Sequence, residues 1–138
     1  MDKIFIDTNI LLYALDKHDA IKQKCCQKVL HNFFNEDVLG VISTQVMQEF
    51  YVGAIKKLRV EPLVAKNILH SFENFELIIV DSTLIKEAID CSILNQLSFW
   101  DALIIVTAES AKCEKILTED LNHGQIIRGV AIENIFKV

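Results

Sequence analysis

The strongest constraint on this chain is its rhythm. Short runs rich in β-branched residues alternate with longer stretches in which apolar side chains recur at helical spacing. Residues 3–6 read as a short buried strand ending at Asp7, and residues 9–15 as the start of a helix. Over 18–35 the apolar positions Ile21, Cys25, Val29, Leu30, Phe33 and Phe34 keep helical spacing. Residues 40–43 form a second strand, followed by a helix over 44–58 with Met47, Phe50, Tyr51, Ala54 and Leu58 on one face. Glu61-Pro62 opens another helix, to about 72, because proline is tolerated in a first turn. A third strand covers 76–80, and a helix over 82–96 carries a stripe of Ile85, Ile89 and Ile93. Residues 98–112 are ambiguous by pattern, since Leu103-Ile104-Ile105-Val106 also suits a strand. A capping pair of Ser98 with Asp101, and apolar character running on to Ala108 and Ala111, favour a buried helix. Residues 115–118 and 129–132 read as the last strands. Strands separated by helices imply a parallel sheet covered on both faces, with functional groups beyond the carboxyl ends of its strands.

Composition narrows the class. The 138 residues suit one domain, and no repeat, linker or low-complexity segment divides them. The four cysteines, Cys25, Cys26, Cys91 and Cys113, include no C-x-x-C pair and lie beside no histidine cluster, which argues against a zinc ribbon or a thioredoxin site. They read as small buried hydrophobes in a reducing compartment. Neither a secretory signal nor a membrane-length apolar stretch is visible, so a cytoplasmic protein is expected, with no membrane partner. The net charge of −5 argues against binding nucleic acid through bulk charge, but not against a nucleic-acid enzyme whose carboxylates are neutralised by metal. No G-x-G-x-x-G, Walker A loop or G-x-S-x-G occurs. An aspartyl-phosphate enzyme is disfavoured because Asn9 stands where a second carboxylate would be expected.

Four acids stand in unusual company. Asp7 directly follows an apolar strand. Glu49 lies just over one helical turn beyond a strand end, Asp101 heads the most apolar helix, and Asp120 follows a strand. Taken singly, each is explained as a cap, a helix-dipole partner or a solvated residue. The combination is harder to explain that way, because several of them abut segments too apolar for the surface, and the fold class brings all four to one edge of the sheet.

In order along the chain stand Phe5-Ile6-Asp7-Thr8-Asn9, Ser43-Thr44 with Gln48-Glu49-Phe50, Ser98-Phe99-Trp100-Asp101-Ala102, and Leu117-Thr118-Glu119-Asp120-Leu121-Asn122-His123-Gly124. With these blocks at these separations, the chain resembles the PIN-domain family of metal-dependent ribonucleases, most closely the VapC-type toxins of bacterial toxin–antitoxin pairs. The resemblance spans essentially the whole chain, 1–138, as a single PIN domain. It implies a three-layer α/β/α sandwich around a short parallel β-sheet of four to five strands. It also implies an acidic Mg²⁺ site, with Mn²⁺ as the other candidate ion, and hydrolysis of single-stranded or loop RNA. By position, Asp7, Glu49, Asp101 and Asp120 match the family's acidic ligands, and Thr8 and Asn9 its supporting polar positions; Thr118 joins the supporting group. The chain departs from the family near its end, where Asn134-Ile135-Phe136 replaces a frequent proline.

Oxygen-only ligands suit hard cations, and four neighbouring carboxylates should have raised pKa values when no cation is bound. Asp7 and Asp101 are assigned to direct metal binding, and Asp120 and Glu49 to binding through water or to positioning the attacking water. Glu119 is either a supporting acid at a second metal position or a solvent-facing residue, and His123 reads as a turn residue. Trp100 and Tyr51 fit base stacking, but beside apolar stripes they fit the core better. Lys56 and Lys57 are candidate RNA phosphate contacts, Lys56 lying seven residues beyond Glu49 on the same helix face; a solvated helix end is the plain alternative. The resemblance further implies an antitoxin protein as partner, with Leu11, Leu12 and Tyr13 as candidate apolar contacts if exposed, and a homodimer. A PIN ribonuclease in RNA processing or decay, and a non-catalytic interaction module, are the alternative readings.

Overall fold

Phe5 and Ile6 are buried without residual exposure because the strand that carries them lies inside a sheet. The computed structural model describes residues 2–35 and 37–137, and of Phe34 and Asn35 only the backbone, so the place expected for Phe34 on an apolar stripe lies outside the described residues. In chain order the elements are β1 (Asp2–Ile6), α1 (Thr8–Tyr13), α2 (Ala20–Asn35), β2 (Val38–Ser43), α3 (Thr44–Lys56), α4 (Pro62–Ser71), β3 (Glu76–Ile78), α5 (Ser82–Asn95), α6 (Phe99–Ser110), β4 (Lys115–Leu117), β5 (Ile126–Ile127) and β6 (Val130–Glu133). Single 3₁₀ turns cover Phe72–Asn74 and Ile135–Lys137.

The sheet order is β3-β2-β1-β4-β6-β5. Five strands are mutually parallel, and β5 adds to β6 antiparallel, a sixth strand beyond the four to five expected. The chain runs outward from β1 through β2 to β3, then returns to β4 on the other side of β1. Right-handed crossovers put the helices of the outward run on one face and those of the return on the other. Packing agrees: α1 meets α2 and α3, α3 meets α4, and α5 meets α6. The order therefore reverses between β1 and β4, the place where open α/β sheets leave a crevice beyond their carboxyl ends.

The segment over 98–112 is indeed a helix. Ala102 through Ala108 are all buried, and the Ser98 hydroxyl caps the helix by accepting from the Asp101 N–H at 3.1 Å. Burial of an unbroken run fits a helix enclosed between the sheet and α5. Helix α5 departs from expectation. Its buried residues are the small Ala88 and Cys91, which let it approach α6 closely, while the Ile85, Ile89 and Ile93 stripe faces outward. On α2 Ile21 is likewise exposed. Cys26, Cys91 and Cys113 are buried and Cys25 half-buried, all as free thiols; burial pushes the Cys26 and Cys113 thiols up to about 12. Among the described residues no single helix is long and apolar enough to cross a membrane.

Candidate active site

The parallel register pairs Ile6 with Leu117, and the Asp7 N–H continues it by donating to the Leu117 carbonyl at 3.1 Å. The residues that follow the two strands thus emerge side by side at the switch point. The Thr118 hydroxyl donates to Asp7 Oδ2 at 2.7 Å and accepts from the Asp120 N–H at 3.1 Å. One hydroxyl links the first expected acid to the loop of the fourth. Asp7 is also the N-cap of α1, its Oδ1 accepting from the Thr8 N–H at 2.8 Å. The capping explanation is correct as far as it goes, yet this cap is only 8% exposed.

The first turn of α1 gathers two more carboxylates. Thr8 Oγ1 donates to Glu49 Oε1 at 3.0 Å, and Asn9 Nδ2 donates to Asp120 Oδ2 at 3.0 Å. Helix α3 delivers Glu49 because the Ser43 hydroxyl caps it at Val46 and because Gly53 admits α1: a Cβ at Gly53 would stand 2.8 Å from Leu12 Cδ1. Asp101 enters from the first turn of α6.

The electrostatics join these acids into one set. Burial raises the Asp7 carboxyl to about 6; the Asp120 and Glu49 charges push in the same direction, against the hydrogen bonds from Thr118 and Thr8. Asp120 is raised by burial and by the charges of Asp101 and Glu119, with Asn9 and Lys57 opposing. Asp7 thus feels Asp120 and Glu49, and Asp120 feels Asp101, which links the four expected acids in a chain and not all to one another. Among the described residues no three His, Cys, Asp or Glu side chains are placed to hold a metal ion together. By chemical type, all being carboxylate oxygens, the donors suit a hard divalent cation. Their charges crowd one another, and Mg²⁺ takes one or two carboxylates and keeps several waters.

The remaining expected residues divide. Glu119 is taken by Tyr13, whose hydroxyl donates to it at 2.7 Å, and by an ion pair with Lys22, whose ammonium also sits 4.7 Å from the Tyr13 ring centroid. Burial works the other way, but these hydrogen bonds hold Glu119 below the usual carboxylate range. Lys57 lines a cavity of about 500 Å³ together with Thr8, Asn9 and Glu49, whereas Lys56 is not among the residues lining it. Helical spacing favoured Lys56; Lys57, the C-cap residue of α3, keeps helical backbone with its N–H on the Gly53 carbonyl at 2.9 Å, and it is the one that reaches the cavity. Leu11 and Leu12 are core residues and Tyr13 is half-buried, so this segment is not an exposed apolar contact. His123 does serve a turn, its Nδ1 accepting from the Asn134 N–H at 3.0 Å. Trp100 and Tyr51 are exposed instead of packed in the core. Gln45 and Gln48, which also line the cavity, carried no sequence signal beyond their place in the block ending at Glu49.

Residues 4–128 match the family model of the PIN domain. No curated protein sequence matches the chain. Among solved structures, the chain is similar to Mycobacterium tuberculosis VapC20, a sarcin–ricin loop cleaving toxin, with TM-score 0.70 and 16% identity over 85% of this chain and 89% of that one. It is similar to VapBC2 from Rickettsia felis, solved bound to a promoter DNA fragment, with TM-score 0.69 and 19% identity over 96% and 98% of the two chains. A toxin–antitoxin complex from Klebsiella pneumoniae gives TM-score 0.68 and 21% identity over 93% and 95%. At these identities the likeness is one of fold.

Proposed function

Because the chain belongs to the PIN-domain family, we propose that it is a divalent-metal-dependent endoribonuclease, the toxin of a toxin–antitoxin pair, acting as one PIN domain over its 138 residues. The observation that carries the reading is the hydrogen-bonded grouping of Asp7, Glu49 and Asp120 through Thr118, Thr8 and Asn9 beside the β1/β4 switch point, with Asp101 acting electrostatically on Asp120. The fold likeness to toxins and toxin–antitoxin complexes supports RNA as substrate and an antitoxin protein as partner. The outward apolar stripe of α5 supports a homodimer, and a toxin acting on RNA would work in the cytoplasm.

In this reading Asp7 and Asp101 would hold the ion directly, and Asp120 and Glu49 would hold it through water or position the attacking water. The chemistry a bound Mg²⁺ or Mn²⁺ would supply there is Lewis-acid charge to polarise the phosphodiester and to balance charge on the leaving oxygen. The protein's own groups do the rest. Glu49, exposed at the cavity, orients a water and accepts its proton as the water oxygen attacks phosphorus and the bond to the leaving ribose oxygen breaks. Thr8, Asn9 and Thr118 keep the carboxylates in place, so little reorganisation accompanies the reaction. Lys57 offsets phosphate charge. Glu119 supports the site indirectly, by tying the loop that carries Asp120 to α1 and α2.

The test compares purified, partner-free protein with Asp7→Asn and Asp101→Asn on a mixed pool of structured and single-stranded RNA, with Mg²⁺, with Mn²⁺ and with chelator. Expected is metal-dependent cleavage that falls at least about 100-fold in either variant, of the order found when one group stabilising a developing charge is removed. Folded wild-type protein that leaves every RNA intact with both ions would refute the reading.

A further inference from the structure

Trp100 is 61% exposed, although the seven residues from Ala102 to Ala108 on the same helix are all buried. A tryptophan left in water forgoes a large apolar burial, so an exposed one beside a charged site calls for an occupant. The side chain is not adrift. Its ring meets Phe99 edge-on at 5.0 Å and 78°, and its carbonyl accepts from Gln45 Nε2 at 3.5 Å. Gln45 is itself a buried residue of α3, the helix that carries Glu49. Trp100 immediately precedes Asp101 and lines the same cavity of about 500 Å³ as Thr8, Asn9, Glu49 and Lys57.

We propose that Trp100 is the platform on which an unpaired nucleobase next to the cleaved phosphodiester stacks, and that this contact makes the groove select single-stranded over duplex RNA. The proposal rests on the ribonuclease reading above. One cavity offers the flat aromatic face of Trp100, the Lys57 cation and the Glu49 carboxylate, with Asp101 the next residue after Trp100, and the face and the cation match the base and the phosphate of one nucleotide. Every base has a face to stack, so the contact tolerates sequence, whereas in a duplex those faces are already covered by neighbouring pairs. The neutral amide of Gln48 lines the groove too and can pair with a base edge without repelling it.

Trp100 is the sole tryptophan of the chain, so its emission reports on this position alone. The experiment uses the full chain as Asp7→Asn, to prevent cleavage, and titrates it with a single-stranded oligoribonucleotide, an abasic oligonucleotide of equal length, a duplex, and a lysine- and arginine-rich peptide. Expected is saturable quenching by the single strand, none by the duplex, and about tenfold weaker binding of the abasic strand without quenching. Trp100→Leu should weaken the single strand about tenfold and leave the abasic strand unchanged, a split that general damage to the fold would not produce, and Trp100→Phe should recover most of the loss. Equal affinity for the base-bearing and abasic strands, or an equal loss for both in Trp100→Leu, would overturn the proposal. So would quenching by the peptide alone, which would assign the groove to a protein partner. The two readings fail separately: RNA cleavage by wild-type protein with a silent Trp100 removes the platform and keeps the nuclease, while quenching without any wild-type cleavage does the reverse.

Discussion

Asp7 shows how one residue serves folding and chemistry at once, and how the two conflict. Its carboxylate caps α1 and accepts from Thr118, yet burial and the neighbouring acids raise its pKa from 3.8 to about 6. The native state therefore binds this proton more tightly than the unfolded chain does. The associated stability is complete below about pH 4 and is lost as pH rises through 6, a cost of about 3 kcal/mol at pH 7. Asp7→Asn should thus make the ion-free protein more stable at pH 7, by up to about 3 kcal/mol, and leave it nearly unchanged at pH 4. Urea unfolding in chelator at the two pH values checks this; a variant that is less stable at pH 7 would show that the charge is not what costs. The partner hydroxyl of Thr118 carried little signal in the sequence, because a threonine after a strand is common. Its importance comes from the Ile6–Leu117 register, which no local pattern encodes.

At the scale of elements, the long periodic segments were readable and the shortest one was not. Strand β5 is two residues long and pairs through the turn Arg128-Gly129, where both residues take positive φ, 52° and 78°. That is the backbone of a tight hairpin turn, which Asn-Gly or Asp-Gly would have announced. Arg128 adopts it as a non-glycine residue while its guanidinium bridges Glu87 and Glu109 at 2.9 and 3.0 Å, contacts invisible to local reading. Gly129 has open space around it, so Gly129→Ala meets no clash and should cost only the left-handed backbone penalty, about 1–2 kcal/mol. A shift of the urea midpoint with an unchanged denaturant slope would agree; no shift would mean that the turn relaxes. Helix α1, with six residues, is too short to persist alone and depends on the Asp7 cap and on packing against α3.

For the whole molecule the open question is what covers α5. Periodicity established that Ile85, Ile89 and Ile93 share a face, but it did not say that α5 would turn small residues toward α6 and leave that face outside, with Ile93 71% exposed. An apolar face of this kind suits self-association. The wild-type protein should be a dimer by light scattering at micromolar concentration, and Ile89→Asp, a charge at the middle of the stripe, should give a monomer with an unchanged circular dichroism spectrum. A monomeric wild-type protein would remove the dimer from the functional picture.

Taken alone, the residues determined the strand–helix alternation and the parallel sheet, and put Asp7 and Asp120 after strands, Asp101 in a first helical turn and Glu49 just over a turn into a helix, because hydrophobic periodicity and the punctuation around it are local properties. The Ser98–Asp101 capping pair and apolar character running on to Ala108 and Ala111 likewise favoured a helix over 98–112. Tertiary structure decided which side chains meet. It joined Thr8 to Glu49 and Asn9 to Asp120 across the chain, engaged Glu119 with Tyr13 and Lys22, brought Lys57 rather than Lys56 to the cavity, and left Trp100 in water beside Asp101. Those outcomes depend on strand register, on where a helix ends and on how closely two helices approach. Each is fixed by contacts between residues far apart in sequence, so no window along the chain contains them.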